Sequence, residues 1–250
     1  MYRMTFDYHT HTIYSSGMIR PHGKGTPEEN VKAAIAKGLK GIAISDHGPG
    51  HLSYGIKREK ISLLHREIVR LRKVYPEIEI FMSVEANTID GGNNLDVRPE
   101  ELSLFDFVNA GYHYDVRHDY VVSNYAFRRG LGKNHEAEYA RRNTDMIVGA
   151  VRKNKIKILT HPGAKIPVEM NRIAAACEKT GTWMEVNERH GHLTVEGLKI
   201  CKAYDVKFVV SSDAHKPEEV GTYEKSLERL LEAGIDISRV VNIEECKEDI

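Results

Sequence analysis

Short apolar runs rich in β-branched residues alternate along the chain with longer stretches whose apolar residues recur at helical spacing. The short runs predict strands at 6–9, 41–45, 78–84, 105–110, 155–159, 182–186 and 207–211, with a further short strand at 240–242. The run at 41–45 is apolar along nearly its whole length and is typical of a buried strand.

The longer stretches predict the helices that connect these strands. Thr26-Pro27-Glu28-Glu29 has an N-cap residue, a proline at the first helical position and acidic residues in the first turn. Helices are predicted at 26–37, 57–74, 136–154, 167–179, 195–204 and 223–233. The segment from Asp115 to Asn134 fits neither pattern and is predicted to be a long loop, of the kind that often serves as a lid.

About seven βα units follow one another without a linker, a low-complexity tract or a change in composition. This alternation predicts one α/β domain over residues 1–250, with a parallel sheet and helices outside it. At this length we expect a distorted (β/α)7 barrel, with a doubly wound open sheet as the alternative.

The charge balance, the apolar runs and the cysteines exclude several classes of protein. Lys plus Arg and Asp plus Glu both number 36, so a zero net charge argues against a protein that coats nucleic acid, although a local basic patch stays open. No apolar run approaches the roughly 18 residues of a membrane helix. An N-terminus without an apolar signal core predicts a cytoplasmic location. Three scattered cysteines predict neither disulfides nor a zinc knuckle.

The 13 histidines carry the main functional signal, because they cluster at strand ends. His, Asp or Glu residues follow six of the predicted strands: His9 and His11, Asp46 and His47, Glu85, His113, His161, and Asp213 and His215. Ligand sites of parallel α/β folds lie at the carboxyl ends of the strands. Since imidazole and carboxylate groups bind zinc, manganese and iron, the pattern predicts a multinuclear metal site there.

Six motifs in sequence order carry a resemblance to a known family: Asp7-Tyr8-His9-Thr10-His11-Thr12, Ile44-Ser45-Asp46-His47-Gly48-Pro49, Val84-Glu85-Ala86-Asn87, Ala110-Gly111-Tyr112-His113, Thr160-His161-Pro162-Gly163 and Ser211-Ser212-Asp213-Ala214-His215. Together they resemble the PHP superfamily, named for polymerase and histidinol phosphatase. The stand-alone bacterial phosphatase branch is the most similar. That resemblance implies a distorted seven-stranded barrel with a trinuclear metal site at the carboxyl ends of its strands.

The resemblance also implies nine metal ligands. The first metal takes His9, His11, Glu85 and Asp213. The second shares Glu85 as a bridge and adds His113 and His161, while the third takes His22, His47 and His215. The expected cofactors are two to three divalent cations, with zinc, manganese and iron all admitted by this ligand chemistry.

Such a site suits phosphate-ester hydrolysis, because paired cations lower the pKa of bound water and produce hydroxide at neutral pH. We therefore expect a hydrolase for small phosphomonoesters, with histidinol phosphate among the substrates that the resemblance suggests. Glu85 and Asp213 would act catalytically through metal ligation, and no separate general acid is assigned. Lys24, Arg58 and Arg189 are candidate substrate-binding residues, for which solvated surface charge is the alternative interpretation.

Other functions stay open at this stage. A phosphodiesterase or nuclease acting on DNA or RNA ends would use the same metals, and the basic residues Arg117, Arg128, Arg129 and Lys133 support it. A non-catalytic metal-binding module and a carbon–nitrogen hydrolase are the remaining alternatives. Of the other histidines, the expectation is that His51, His65, His118 and His135 lie on the surface, and that His190 and His192 are polar loop residues. The sequence leaves the oligomeric state undetermined.

Overall fold

The computed structural model describes residues 1–16, 21–117 and 120–246. Its strands are β1 (Tyr2–Met4), β2 (Phe6–Thr10), β3 (Gly41–Ile44), β4 (Glu79–Asn87), β5 (Phe107–Gly111), β6 (Ile156–Leu159), β7 (Trp183–Asn187), β8 (Phe208–Ser211) and β9 (Ile243–Glu245). Its helices are α1 (Pro27–Ala36), α2 (Arg58–Val74), α3 (Val121–Arg128), α4 (Glu136–Lys153), α5 (Met170–Thr180), α6 (Val195–Cys201) and α7 (Glu224–Glu232). Short 3-10 turns occupy several of the connections.

Strands β2 to β8 form a seven-stranded parallel sheet in sequence order. The sheet curls until its first and last strands meet, where the His11 amide donates to the Ala214 carbonyl at 2.8 Å. The buried Asp7 carboxylate reinforces this seam by accepting hydrogen bonds from the Ser212 and Gly221 amides. The predicted distorted (β/α)7 barrel is therefore confirmed, and the open-sheet alternative is wrong.

Helices α1 and α2 show why the sequence forms the outer layer where it does. Thr26 accepts from the Glu29 amide while the Glu29 carboxylate accepts from the Thr26 amide, which makes a complete capping box. Along α2, a stripe of apolar side chains is buried: Ile61, Leu64, Ile68 and Leu71. None of the helices in the described ranges combines the length and apolarity needed to cross a membrane.

The structure differs from the sequence predictions in several places, and β1 (Tyr2–Met4) is a strand that was not predicted. Part of the predicted loop from 115 to 134 is the helix α3, which has only two turns and therefore gives a weak periodic signal. The final strand lies at Ile243–Glu245, where it pairs antiparallel with β1, and the predicted segment at 240–242 forms only an isolated bridge between Val240 and Phe208. Asn242 explains the shift, because its buried side-chain amide donates to the carbonyls of Phe6 and Val210 and ties the two edge strands of the barrel.

The two ends of the barrel have opposite chemistry. Aromatic rings fill the amino-terminal end, where Phe6 stacks on Tyr8 with centroids 4.0 Å apart and Tyr8 meets Trp183 edge-on at 5.5 Å. The carboxyl ends of the strands instead carry buried histidines and carboxylates. The fold therefore gathers polar side chains from different strands at one mouth.

Candidate metal centre

Glu85, near the end of β4, is the centre of this polar cluster and is fully buried. Its Oε1 lies 2.7 Å from His161 Nε2, and its Oε2 lies 2.9 Å from His47 Nδ1 and 3.3 Å from His9 Nε2. In total the carboxylate lies within 3.6 Å of ring nitrogens from five histidines: His9, His11, His47, His113 and His161. One carboxylate thus joins residues from four different strand ends.

Asp213 forms a second focus beside Glu85, where β8 meets β2. Its Oδ1 lies 3.1 Å from His11 Nε2 and 3.5 Å from His215 Nδ1. Asp213 has a φ of 54°, in the left-handed region that residues other than glycine seldom adopt. Backbone strain of this kind is typical of functional sites, and here it turns the carboxylate toward the neighbouring histidines.

His22 completes the set from the loop before α1. Its ring stacks on Tyr54 with centroids 4.0 Å apart and meets the His215 ring edge-on at 4.3 Å. The nine residues that the resemblance implied as ligands therefore lie at one mouth of the barrel. Three groups within it place one potential donor atom from each residue within 4.8 Å of one another: His11, His47 and His215; His9, His11 and Glu85; and His47, Glu85 and His113.

Unpaired polar atoms show that these residues fit a metal. Four buried atoms of the cluster that could ligate a metal make no hydrogen bond: His161 Nδ1, His215 Nε2, and the pair His47 Nδ1 and Glu85 Oε2, which lie 2.9 Å apart without the alignment of a hydrogen bond. Buried polar atoms without partners are rare and costly in folded proteins. Imidazole nitrogen and carboxylate oxygen are the donors that zinc, manganese and iron bind, so cations would satisfy these atoms.

For two of the histidines and both carboxylates, the electrostatics favour the protonation states that metal binding needs. Burial lowers the pKa of His11 and His113 well below the ordinary value, which keeps these rings neutral. Burial would raise the pKa of Glu85 and Asp213, but the surrounding histidines, His9 foremost, outweigh it and hold both carboxyls well below their usual range. Neutral imidazoles beside ionised carboxylates are the forms that ligate cations.

His9 differs from the other rings of the site. Burial lowers the pKa of His9, but the carboxylates of Glu85, Glu185 and Asp213 outweigh burial and raise it well above the ordinary value. Three carboxylates therefore favour a positive charge at this ring, and a cation that binds Nε2 would take the place of its proton.

A family comparison agrees with this geometry. The model for the PHP domain matches residues 7–189. The chain belongs to the PHP domain family. The predicted resemblance is confirmed, and the matched region includes seven of the nine residues gathered at the mouth.

Relatives of this PHP domain extend over nearly the whole chain. A protein of Thermoanaerobacter sp. (strain X514), named "Probable phosphatase", is 30% identical over 253 residues, which cover 96% of this chain and 91% of that protein. A protein of Acetivibrio thermocellus with the same name is 27% identical over 250 residues, with 96% and 91% covered. The histidinol phosphate phosphatase of Lactococcus lactis, solved in complex with zinc, L-histidinol and phosphate, has a TM-score of 0.62 at 18% identity and 92% coverage of both chains. That structural likeness shows a shared fold.

Glu185 is a site residue of this PHP domain that sequence reasoning missed. It lies fully buried on β7, with Oε1 2.7 Å from His9 Nδ1. Its Oε2 accepts from the His161 amide at 2.7 Å and from Asn187 Nδ2 at 2.9 Å. A carboxylate on the far nitrogen of a ligating histidine fixes the tautomer and the orientation of the ring. A lone glutamate within the apolar run at 182–186 was the available signal.

Asn87 orients His113 in a similar way. Its Oδ1 accepts from His113 Nδ1 at 2.6 Å, so the Nε2 of that ring is the nitrogen left to face Glu85. The Asn87 Nδ2 donates to Asp96 Oδ2 at 2.6 Å, which fixes the orientation of the amide. Asp96 also accepts from the Gly50 amide, so the chain of hydrogen bonds ends in the loop after β3.

The other histidines divide between the site and the surface. The prediction that His51 is a surface residue is wrong, because its buried ring lies 5.1 Å from that of His47 and burial lowers its pKa to about 3. His65 and His135 are exposed as predicted, and His118 lies outside the described residues. His190 reaches the edge of the site, with Nε2 3.5 Å from Asp213 Oδ2.

The three candidate substrate-binding residues lie in different surroundings. Arg58 donates to Glu101 at 2.7 Å and to the Asp96 carbonyl, so its guanidinium is occupied at the start of α2. Lys24 is exposed, and its amide donates to the His215 carbonyl at 2.8 Å. Arg189 pairs with Glu219 at 3.4 Å. Burial lowers the pKa of His22 and His215 to about 4 and about 3, and the charge of Arg189 acts in the same direction. Lys24 and Arg189 therefore flank the His22 side of the mouth.

Proposed function

We propose that this chain is a metal-dependent phosphoesterase that hydrolyses small phosphomonoesters at a centre of two to three divalent cations. The observation that carries the proposal is the convergence of five histidines on the buried Glu85 carboxylate, beside the Asp213 cluster. So many convergent donor atoms, several without a hydrogen bond, fit several cations better than one.

Each part of the site has a distinct task in this proposal. His9, His11 and Asp213 would hold one cation, His113 and His161 a second, and Glu85 would bridge the two. His22, His47 and His215 would hold a third. When bound, these cations supply Lewis acidity toward a phosphoryl oxygen and lower the pKa of bound water.

The other residues of the site maintain its geometry. Glu185 orients His9 through its Nδ1, and Asn87 orients His113 in the same way. Lys24 and Arg189 add positive charge near His215, where an anionic phosphoryl group would enter. The chain thus provides a rigid donor set with cationic residues at the edge of its mouth.

The comparisons support a phosphatase without naming its substrate. Two relatives that match this chain over 96% of its length carry the name "Probable phosphatase". The Lactococcus lactis structure makes histidinol phosphate a candidate substrate to test, at an identity of 18%. We therefore propose phosphomonoesters as the substrate class, and the identity of the alcohol that is released is a question for experiment.

The direct test measures inorganic phosphate released from a panel of phosphomonoesters that includes histidinol phosphate. Protein loaded with manganese or zinc should release phosphate, chelator-treated protein should not, and Glu85→Ala should match the chelator-treated protein. His65→Gln, at an exposed position on α2, is the matched control and should retain wild-type activity. No release from any monoester by protein shown to contain metal would refute the proposal. A diester and a short single-stranded DNA in the same assay test the phosphodiesterase alternative.

A further inference from the structure

Asp46 is a buried carboxylate that lies directly before the candidate ligand His47 but is not one of the nine. Its Oδ1 accepts from the Thr12 amide at 2.7 Å, from the Ser15 amide at 3.0 Å and from the Ser15 hydroxyl at 2.6 Å. Its Oδ2 accepts from the Thr12 hydroxyl at 2.7 Å. These four hydrogen bonds hold the segment that follows β2 against the end of β3.

Ser15 connects this carboxylate to two candidate ligands. The buried hydroxyl gives its hydrogen to Asp46, so its lone pairs must serve the other neighbours. The His47 amide donates to Ser15 Oγ at 3.2 Å, and His11 Nδ1 lies 3.4 Å from the same oxygen. A hydrogen on His11 Nδ1 satisfies that contact and leaves Nε2 of the ring free to bind a cation. One hydroxyl therefore locates the backbone of one ligand and the ring of another.

His22 is located by backbone contacts to the same segment. Its amide donates to the Ser15 carbonyl at 2.7 Å. The next residue, Gly23, lies so close to Thr12 that a Cβ at this position would collide with the Thr12 backbone. A residue without a side chain permits this approach, which brings the two loops into direct contact. The position of His22 thus depends on the segment that the buried carboxylate holds.

The ligands that depend on Ser15 lie together in one part of the mouth. The rings of His11 and His47 stack with centroids 4.2 Å apart, and the His22 ring lies 5.7 Å from that of His47. His11, His47 and His215 place one potential donor atom each within 4.8 Å of one another. This is the part of the mouth where the third cation would bind.

We propose that Asp46 and Ser15 are positioning residues for the third cation, and that they assemble its ligands without binding it. This inference rests on the proposed metal-dependent function and concerns the occupancy of one cation within it. Glu185 and Asn87 orient rings that would hold the other two cations, so the third has a support of its own. His11 is shared with the first cation through the longest of the Ser15 contacts, so a smaller effect is expected there.

The test is a metal-loading curve, in which the manganese bound per chain is measured by mass spectrometry at a series of buffered free concentrations. Ser15→Ala and Asp46→Asn should each need about tenfold or more free metal to bind the last equivalent, and less than about threefold more to bind the first two. The losses should not multiply in the double variant, because Asp46 acts through Ser15. Ser83→Ala is the matched control, since the buried Ser83 Oγ makes no hydrogen bond.

Gly23→Ala tests the same support from the side of His22. The added Cβ would push this loop away from Thr12 while leaving the hydrogen bonds of Asp46 in place. The variant should therefore weaken binding of the same last equivalent. Gly91→Ala is its control, because a Cβ at that position would meet no atom within 4 Å.

Several results would overturn the inference. Loading curves of Ser15→Ala and Asp46→Asn that match the wild type, in protein with native circular dichroism, would show that the pair positions no ligand. Equal weakening of all equivalents would assign the pair to the fold as a whole. A wild type that saturates at two equivalents would remove the third site itself. Phosphate release is not part of these measurements, so their failure is distinct from failure of the phosphatase function.

Discussion

Replacing Glu185 with glutamine isolates the contribution of a residue that touches the candidate ligands without being one of them. The wild-type carboxylate is fully buried and accepts three hydrogen bonds, from His9 Nδ1, the His161 amide and Asn187 Nδ2. Glutamine has the same shape, but its NH2 group is a donor. One of the two oxygens is therefore lost, and at least one donor must face another donor.

The expected magnitude follows from that geometry. Hydrogen-bond partners on the far nitrogen of a ligating histidine contribute about 10- to 100-fold in metal affinity. A tenfold change is about 1.4 kcal/mol, so Glu185→Gln should weaken metal binding by about 1.4–2.8 kcal/mol. The loss of charge acts in the same direction, because the Glu185 carboxylate is among the groups that raise the pKa of His9.

The assay is the metal content of protein dialysed against a series of metal buffers, measured by inductively coupled plasma mass spectrometry. Glu185→Gln should need about 10- to 100-fold more free metal for half-loading, and phosphate release should recover when metal is saturating. Glu218→Gln, at an exposed position, is the matched control. A loading curve for Glu185→Gln that matches the wild type, in protein with native circular dichroism, would refute the role of Glu185 in orienting His9.

Three further predictions use the same protein. Glu85→Ala should leave the far-ultraviolet circular dichroism unchanged but abolish metal-dependent phosphate release, and residual turnover near the wild-type level would contradict the bridging role. Thr26→Ala removes the capping box of α1 and should cost about 1 kcal/mol of stability in urea titrations, whereas an unchanged midpoint would show that the cap contributes nothing. Burial raises the pKa of Asp96 from 3.8 to about 6, so the folded protein keeps a proton that the unfolded chain releases in that window. The stability of the wild type relative to Asp96→Asn should therefore fall as pH rises through the window, by at most about 1.4 kcal/mol per pH unit, and a pH-independent difference would refute the shift.

The sequence predicted the barrel because about seven short strands alternate with helices along a chain of 250 residues, which is typical of a parallel sheet closed into a barrel. The sequence also predicted which polar residues lie together, since parallel strands bring their carboxyl ends to one mouth of the barrel. The candidate ligands from His9 to His215 could be named for that reason. Their order along the chain and their spacing within short motifs carried the resemblance.

The parts that sequence could not predict depend on contacts between distant segments. Glu185 lies within a strand, and its role depends on a hydrogen bond to His9, 176 residues away. His51 lies in a loop after β3 and is buried only because the loop folds back against His47 and His113. Local pattern carries none of this information.

The seam between β2 and β8 has a consequence for how the protein is synthesised. His9 and His11 leave the ribosome about 200 residues before Asp213 and His215, yet Asp213 lies 3.1 Å from His11 in the finished barrel. The donor set is therefore incomplete until nearly the whole chain has emerged and the ring has closed. A nascent chain that lacks Asp213 and His215 cannot bind cations with native affinity, so full metal loading would report that the barrel has closed.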